Sequence, residues 1–225
     1  MLHNSYDGQD LTFTRLPTGE RHDETLRIPG QLVRSQDPRH VDRKNIPHEI
    51  ELLNLWEPND LQSINPIGKV PALKLDDGRV LMNSPLIADY VDGKYPSPRF
   101  IPADPEARLE VRRLEALADG MMEAVGATLY EDRFHDETTR SQPWLARQRG
   151  KIDAGLSALE GVLGNRPWLA GNSMTFADLA ITCHLGFLAV RKPHLFPQER
   201  YPNLARLWKT MEARESMKKT MPPPA

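Results

Sequence analysis

The sequence predicts two units in tandem, a small α/β unit followed by an all-helical one. Three observations carry this reading. Residues 46–92 run in the order strand, connection, hairpin, helix. Pro96, Pro98, Pro102 and Pro105 then crowd one short stretch, and proline stiffens a connection and stops helices on either side. Beyond them the apolar residues keep helical spacing to near the C-terminus. The expected boundaries are residues 1–45 as an anomalous segment, 46–92 as the α/β unit, 93–104 as a proline-rich linker and 105–225 as the helical unit.

In the α/β unit, His48-Glu49-Ile50-Glu51-Leu52-Leu53 alternates as a strand does. Val70 to Leu75 and Arg79 to Met82 are two short apolar runs. Asp76-Asp77-Gly78 joins them, and Asp and Gly tolerate the positive φ of a hairpin turn. Ser84 as N-cap and Pro85 at the first helical position open a helix with Leu86, Ile87, Tyr90 and Val91 on its apolar face. In the anomalous segment only Leu11-Thr12-Phe13-Thr14 looks like a strand.

The helical unit opens at Asp104-Pro105, and Leu114, Leu117, Met121, Val125 and Leu129 follow helical spacing. A second helix starts at Ser141 or Gln142 with Pro143, and Gly164-Asn165 ends it. Thr175 to Asp178 opens a third, apolar nearly all round through Val190, as suits the middle of a bundle. The last helix is expected from about Pro202 to Met217.

Composition narrows the function. A formal net charge of −2 and a pI near 6.4 give no general attraction to nucleic acid or anionic membrane. The single cysteine, Cys183, excludes an intramolecular disulfide, a cysteine-rich zinc site and a CxxC pair. His184 beside it faces elsewhere on the helix, so no metal is expected. No apolar run reaches membrane-spanning length, and residues 1–10 are polar with no apolar signal region following, so the expected compartment is the cytoplasm.

Three motifs carry the remaining information. Asn65-Pro66-Ile67-Gly68-Lys69-Val70-Pro71-Ala72-Leu73 puts a proline at a strand start, either as an edge-strand proline or as a cis bond turning the Val70 backbone outward. Asn83-Ser84 sets a hydroxyl at a helix N-terminus, either an ordinary cap or a carboxylate site. Thr175-x-x-Asp178 is a structural capping box.

In this order and spacing the motifs resemble the cytosolic glutathione S-transferases, bacterial members especially. Arg113 to Gly120 and Arg214-Glu215-Ser216 before the final prolines add to the likeness, which spans residues 46–225. The resemblance implies a thioredoxin-like N-terminal domain, an all-α C-terminal domain and a homodimer. It implies glutathione as co-substrate, with its thiol added to a small electrophile in detoxification. Val70 would pair its backbone with the cysteinyl part, Pro71 would be the cis proline, and Asn83 and Ser84 would hold the γ-glutamyl carboxylate. Asn83 stands where Glu or Gln is usual and has less reach. Met121, Met122, Val125 and Tyr130 are the candidate electrophile pocket. A non-catalytic glutathione-binding or regulatory protein on the same fold is the alternative.

The likeness fails before Ile46. The family's thiolate-stabilising hydroxyl or thiol follows the first strand, at the start of the first helix, and no such motif stands here. Arg34-Ser35-Gln36-Asp37-Pro38 is a poor substitute, since Pro38 breaks a helix. Moving the reading frame by one base over residues 31–45 forces Lys or Arg across Gln36 and Asp37, and Met or Thr across His40 and Val41. One permitted reading is Ser-Ser-Tyr-Val-Ala-Lys-Ile-Arg-Ala-Met-Leu-Ile-Glu-Lys, an amphipathic helix led by serine. A frameshift ahead of Asn45 is therefore one expectation, with an inactive product as its consequence, and a divergent N-terminus is the other. Either leaves the first strand and helix disrupted and a sheet edge open.

Overall fold

A tight hairpin organises the small unit. Gly78 takes φ 86°, a conformation that costs a side-chain-bearing residue. The hairpin pairs Ala72 with Met82, Leu73 with Leu81 and Lys74 with Val80. The structure, a computed structural model, describes residues 58–75 and 77–218, together with the backbone of the strands Phe13–Leu16 and Glu49–Glu51. The described chain divides into two units, one running to Arg99 and joined by the residues from Glu215, the other Phe100–Arg214.

The first unit holds strands β1 (Phe13–Leu16), β2 (Glu49–Glu51), β3 (Ala72–Leu75) and β4 (Val80–Met82), with helices α1 (Leu61–Ile64) and α2 (Ser84–Lys94). The sheet order is β2-β1-β3-β4. β1 runs antiparallel to β2 and parallel to β3, with Leu16 opposite Leu75. The open sheet edge expected from the sequence is corrected here, because Phe13–Leu16 occupies the place between β2 and β3. Residues 17–48, with the shifted-frame segment, lie outside the described residues.

β3 buries Leu73 and Leu75 on one face and Ala72 on the other, with Lys74 half-buried. Leu73 and Leu75 pack with Ile87 and Val91 of α2, while Ala72 packs with Leu61 of α1. α1 is not among the elements expected from the sequence; it is a single turn whose first amide, Leu61 N–H, donates to Asn59 Oδ1 at 3.1 Å. One residue corrects the α2 start. Asn83 is the N-cap, its carbonyl accepting from Ile87 N–H at 3.1 Å, and Ser84 is already helical.

The second unit holds α3 (Pro105–Phe134), α4 (Gln142–Leu163), α5 (Phe176–Arg191), a 3-10 turn (Pro193–Leu195) and α6 (Pro202–Glu212). Asp104 caps α3 by accepting from Ala107 N–H at 2.9 Å, and Gly164 ends α4 at φ 49°. Leu145, Ile152, Leu156, Leu159 and Leu163 form the buried stripe of α4. Gly155 on that stripe lets α3 approach closely, since a Cβ there would lie 3.1 Å from Met121 Cβ. α5 is buried from Phe176 through Leu188, the all-round apolar helix of the bundle. Its carboxylate Asp178 accepts from Thr175 N–H and Leu169 N–H, both at 2.8 Å. Glu160 of α4 caps α6 from a distance in sequence, accepting from Asn203 N–H and Leu204 N–H at 2.9 Å. The expected last helix is two pieces, α6 and a short α7 (Glu215–Lys218), with the break where the chain leaves the second unit at Arg214. Among the described residues no helix is long and apolar enough to cross a membrane.

Candidate glutathione site

The loop ahead of β3 is built on Asn65, 2% exposed. Its Oδ1 accepts from Ile67 N–H at 3.3 Å and its Nδ2 donates to the Lys69 carbonyl at 2.5 Å. Its own carbonyl accepts from Gly68 N–H at 2.8 Å, and Gly68 takes φ 60° to close the turn. In the sequence Asn65 stands only as the first residue of the Asn65–Leu73 motif, with no role of its own. The signal was an Asx residue ahead of Pro and Gly, which turns use.

This loop delivers Val70 and Pro71 to the start of β3, with a cis bond between them. The Val70 side chain is half-buried against Leu61 and Ala72. Its backbone N–H and C=O have no backbone partner among the described residues. The Pro71 carbonyl accepts from Asn83 N–H at 3.3 Å, which ties the loop to the α2 start. Val70, Pro71, Asn83 and Ser84 are therefore brought together in one unit.

Asn83 sits at φ 75°, ψ 132°, outside the regions that L-residues favour, at a cost of about 1–3 kcal/mol. Its exposed side chain makes no capping bond to α2. Ser84 is 8% exposed. The first turn of α2 holds no acidic residue, so its positive dipole end and free N–H groups face no carboxylate of the helix itself. The arrangement can hold a carboxylate at α2 and an extended peptide backbone at Val70.

The electrophile set divides. Met121, Met122 and Val125 are 3%, 0% and 0% exposed in the bundle core. Tyr130 is exposed and stacks on Phe134, ring centroids 6.2 Å apart. Cys183 and His184 are buried, and His184 Nε2 lies 3.4 Å from Asp119 Oδ1, a partner the sequence did not suggest. The Arg34 to Pro38 stretch lies outside the described residues.

Comparison with known proteins matches this layout. The model of the glutathione S-transferase N-terminal domain matches residues 41–94, and that of the C-terminal domain matches residues 117–215. An uncharacterised GST-like protein of Escherichia coli, YibF, is 36% identical over 167 residues, 74% of this chain and 82% of that protein. A glutathione S-transferase of Methylobacterium radiotolerans, solved with glutathione sulfonate, is 35% identical at a TM-score of 0.77, covering 95% of this chain and 96% of that one. One from Methylobacillus flagellatus, solved with glutathione bound, is 36% identical at a TM-score of 0.79, covering 84% and 93%. With a thioredoxin-like unit ahead of a helical one and both domain models matched in order, this chain belongs to the glutathione S-transferase superfamily.

Proposed function

We propose that the chain binds glutathione at Val70, Pro71, Asn83 and Ser84 and adds its thiol to a small electrophile. The observation that carries this reading is a Val70 backbone with no backbone partner among the described residues, tied through Pro71 to an N-terminus of α2 free of acidic residues. The two similar crystal structures hold glutathione or its sulfonate, which supports the ligand. In this reading residues 46–92 form the glutathione-binding domain, residues 93–104 the linker and 105–225 the helical domain. Tyr130, exposed and stacked on Phe134, is the member of the electrophile set open to a substrate. The proposal includes a homodimer, as the family resemblance implies, in the cytoplasm, as the polar start of the sequence suggests.

Calorimetric titration with reduced glutathione tests the site. Saturable binding is expected, weakened about threefold to tenfold in Ser84→Ala, the worth of one hydrogen bond. A folded chain that takes up no glutathione would refute the reading.

One observation favours a second reading, a glutathione binder with little turnover. β1 is parallel to β3 and ends with Leu16 beside Leu75. Pro71 leads into the opposite end of β3, about 10 Å away at a strand's rise per residue. A hydroxyl just after β1 would therefore start from the wrong end of the sheet. Turnover of a general electrophile separates the two readings. A frameshift ahead of Asn45 accounts for the same feature, and genomic sequencing across residues 31–45 tests it.

A further inference from the structure

We propose that Asn65 is a positioning residue of the glutathione site: without touching the ligand, it sets the peptide through which Val70 pairs with it. The inference rests on the glutathione reading and gives the loop before β3 its part in it. Of residues 65–71 only Asn65 is buried, while Pro66, Ile67 and Lys69 are exposed. Asn65 ends α1, its N–H donating to the Leu61 carbonyl at 2.7 Å. Pro66 follows it, and a residue before proline is held extended; Asn65 takes φ −115°, ψ 105°.

The side chain makes one bond more than a turn needs. The turn is closed by Ile67 N–H on Oδ1 at 3.3 Å and by Gly68 N–H on the Asn65 carbonyl at 2.8 Å. Aspartate and serine close such turns as well, because only an acceptor is required. The additional bond is Nδ2 to the Lys69 carbonyl at 2.5 Å. Only an amide sets a donor beside that acceptor, since a carboxylate has no donor and a serine hydroxyl is too short to span both partners. The surplus donor therefore acts on the peptide between Lys69 and Val70.

That peptide carries the Val70 N–H. It is trans, so its C=O and N–H point to opposite sides. With the Lys69 carbonyl drawn onto Asn65, the Val70 N–H is turned away from Asn65. The Val70 side chain packs against Leu61 and Ala72, and the next carbonyl, that of Pro71, is tied to Asn83 N–H at 3.3 Å. The Val70 backbone is thus fixed on both sides before a ligand arrives. A segment fixed in this way loses little freedom on pairing with a peptide, and releasing its Asn65 side restores that cost.

The test is calorimetric titration of the full chain with reduced glutathione, in wild type, Asn65→Asp, Asn65→Ser, Ser84→Ala and the double variant of Asn65→Ser with Ser84→Ala. Both Asn65 variants keep the turn's acceptor and lose the donor to Lys69. Each is expected to weaken glutathione about fivefold to tenfold, the worth of one hydrogen bond. Asn65→Ser brings no charge to the buried position and decides the matter where Asn65→Asp does not fold. In the double variant the two losses should multiply, because they act on different parts of the ligand. A double variant that binds as well as Asn65→Ser would show that the site has collapsed as a whole, and the positioning role would be overturned. It is overturned as well if neither Asn65 variant folds. Wild type that binds glutathione while both variants bind it equally well overturns this inference alone. Wild type that binds none overturns the glutathione reading and this inference with it.

Discussion

Replacing Asp178 by Ala should destabilise the helical unit by about 3 kcal/mol. Asp178 is fully buried and its carboxylate accepts from Leu169 N–H, Thr175 N–H and the Thr175 hydroxyl at 2.8, 2.8 and 3.0 Å. The substitution strands two main-chain donors away from water, at about 1–3 kcal/mol each, and removes a helix cap worth about 1 kcal/mol. Part of this is offset. Burial pushes the Asp178 carboxyl above its ordinary value, opposed by the same three donors, so the carboxylate itself carries a desolvation cost. In a chain of this size the loss corresponds to a melting shift of about 6–12 °C. A urea or thermal unfolding series followed by circular dichroism measures it, and a loss under about 1 kcal/mol would refute the account. The pH dependence gives an independent check. A raised carboxyl binds its proton more tightly in the folded state, so its contribution is fully present below the ordinary aspartate range. It is lost as pH rises through the folded value. The stability of wild type relative to Asp178→Asn should therefore grow as pH falls from neutral toward 4, other carboxylates cancelling in the difference.

Two further substitutions probe the packing of the bundle. Glu160→Ala removes the acceptor for Asn203 N–H and Leu204 N–H, and should cost about 1–2 kcal/mol in chemical unfolding, with Glu160→Gln recovering part of it. Gly155→Val should cost about 1–3 kcal/mol, because its Cβ would meet Met121 Cβ and Cγ at 3.1 Å where α3 and α4 cross, and an unchanged melting temperature would contradict the crossing.

The parts of the fold legible in the sequence are those whose signals are local. Asp104-Pro105, Ser141 with Pro143 and Thr175-x-x-Asp178 each announce a helix start, because capping depends on four consecutive residues. Gly78 marks the hairpin for the same reason. What the sequence hid depends on partners far along the chain. Glu160 looks like any exposed helix residue until α6 is laid beside α4. Asp119 gives no hint that it meets His184, 65 positions on in the chain. At the candidate site, Asn83 and Ser84 were legible as a pair, but which of them is the cap was not. That choice turns on the positive φ of Asn83, and Asn adopts such angles only where the surrounding chain requires it.

The direction of β1 has a kinetic consequence. A thiol with an ordinary pKa of about 8.5 is only about 1% thiolate at pH 6.5. A hydroxyl that lowers it by two units brings the fraction to about half, a gain of roughly fiftyfold. In the family that hydroxyl follows the first strand, whereas here Leu16 ends beside Leu75 rather than beside Ala72 and Pro71. If no other group takes its place, conjugation of a general electrophile under saturating glutathione should rise about tenfold per pH unit from 6 to 8, following the free thiol. A chain carrying the shifted-frame residues over 31–44 should instead rise only about fourfold over that whole range and exceed the first chain most at pH 6. A profile that shallow from the chain as written would show that a thiolate-stabilising group reaches the site by another route, whatever the direction of β1. Glutathione affinity should be similar in both chains, because Val70, Asn83 and Ser84 come from β3, α2 and the loop before them, which both chains share.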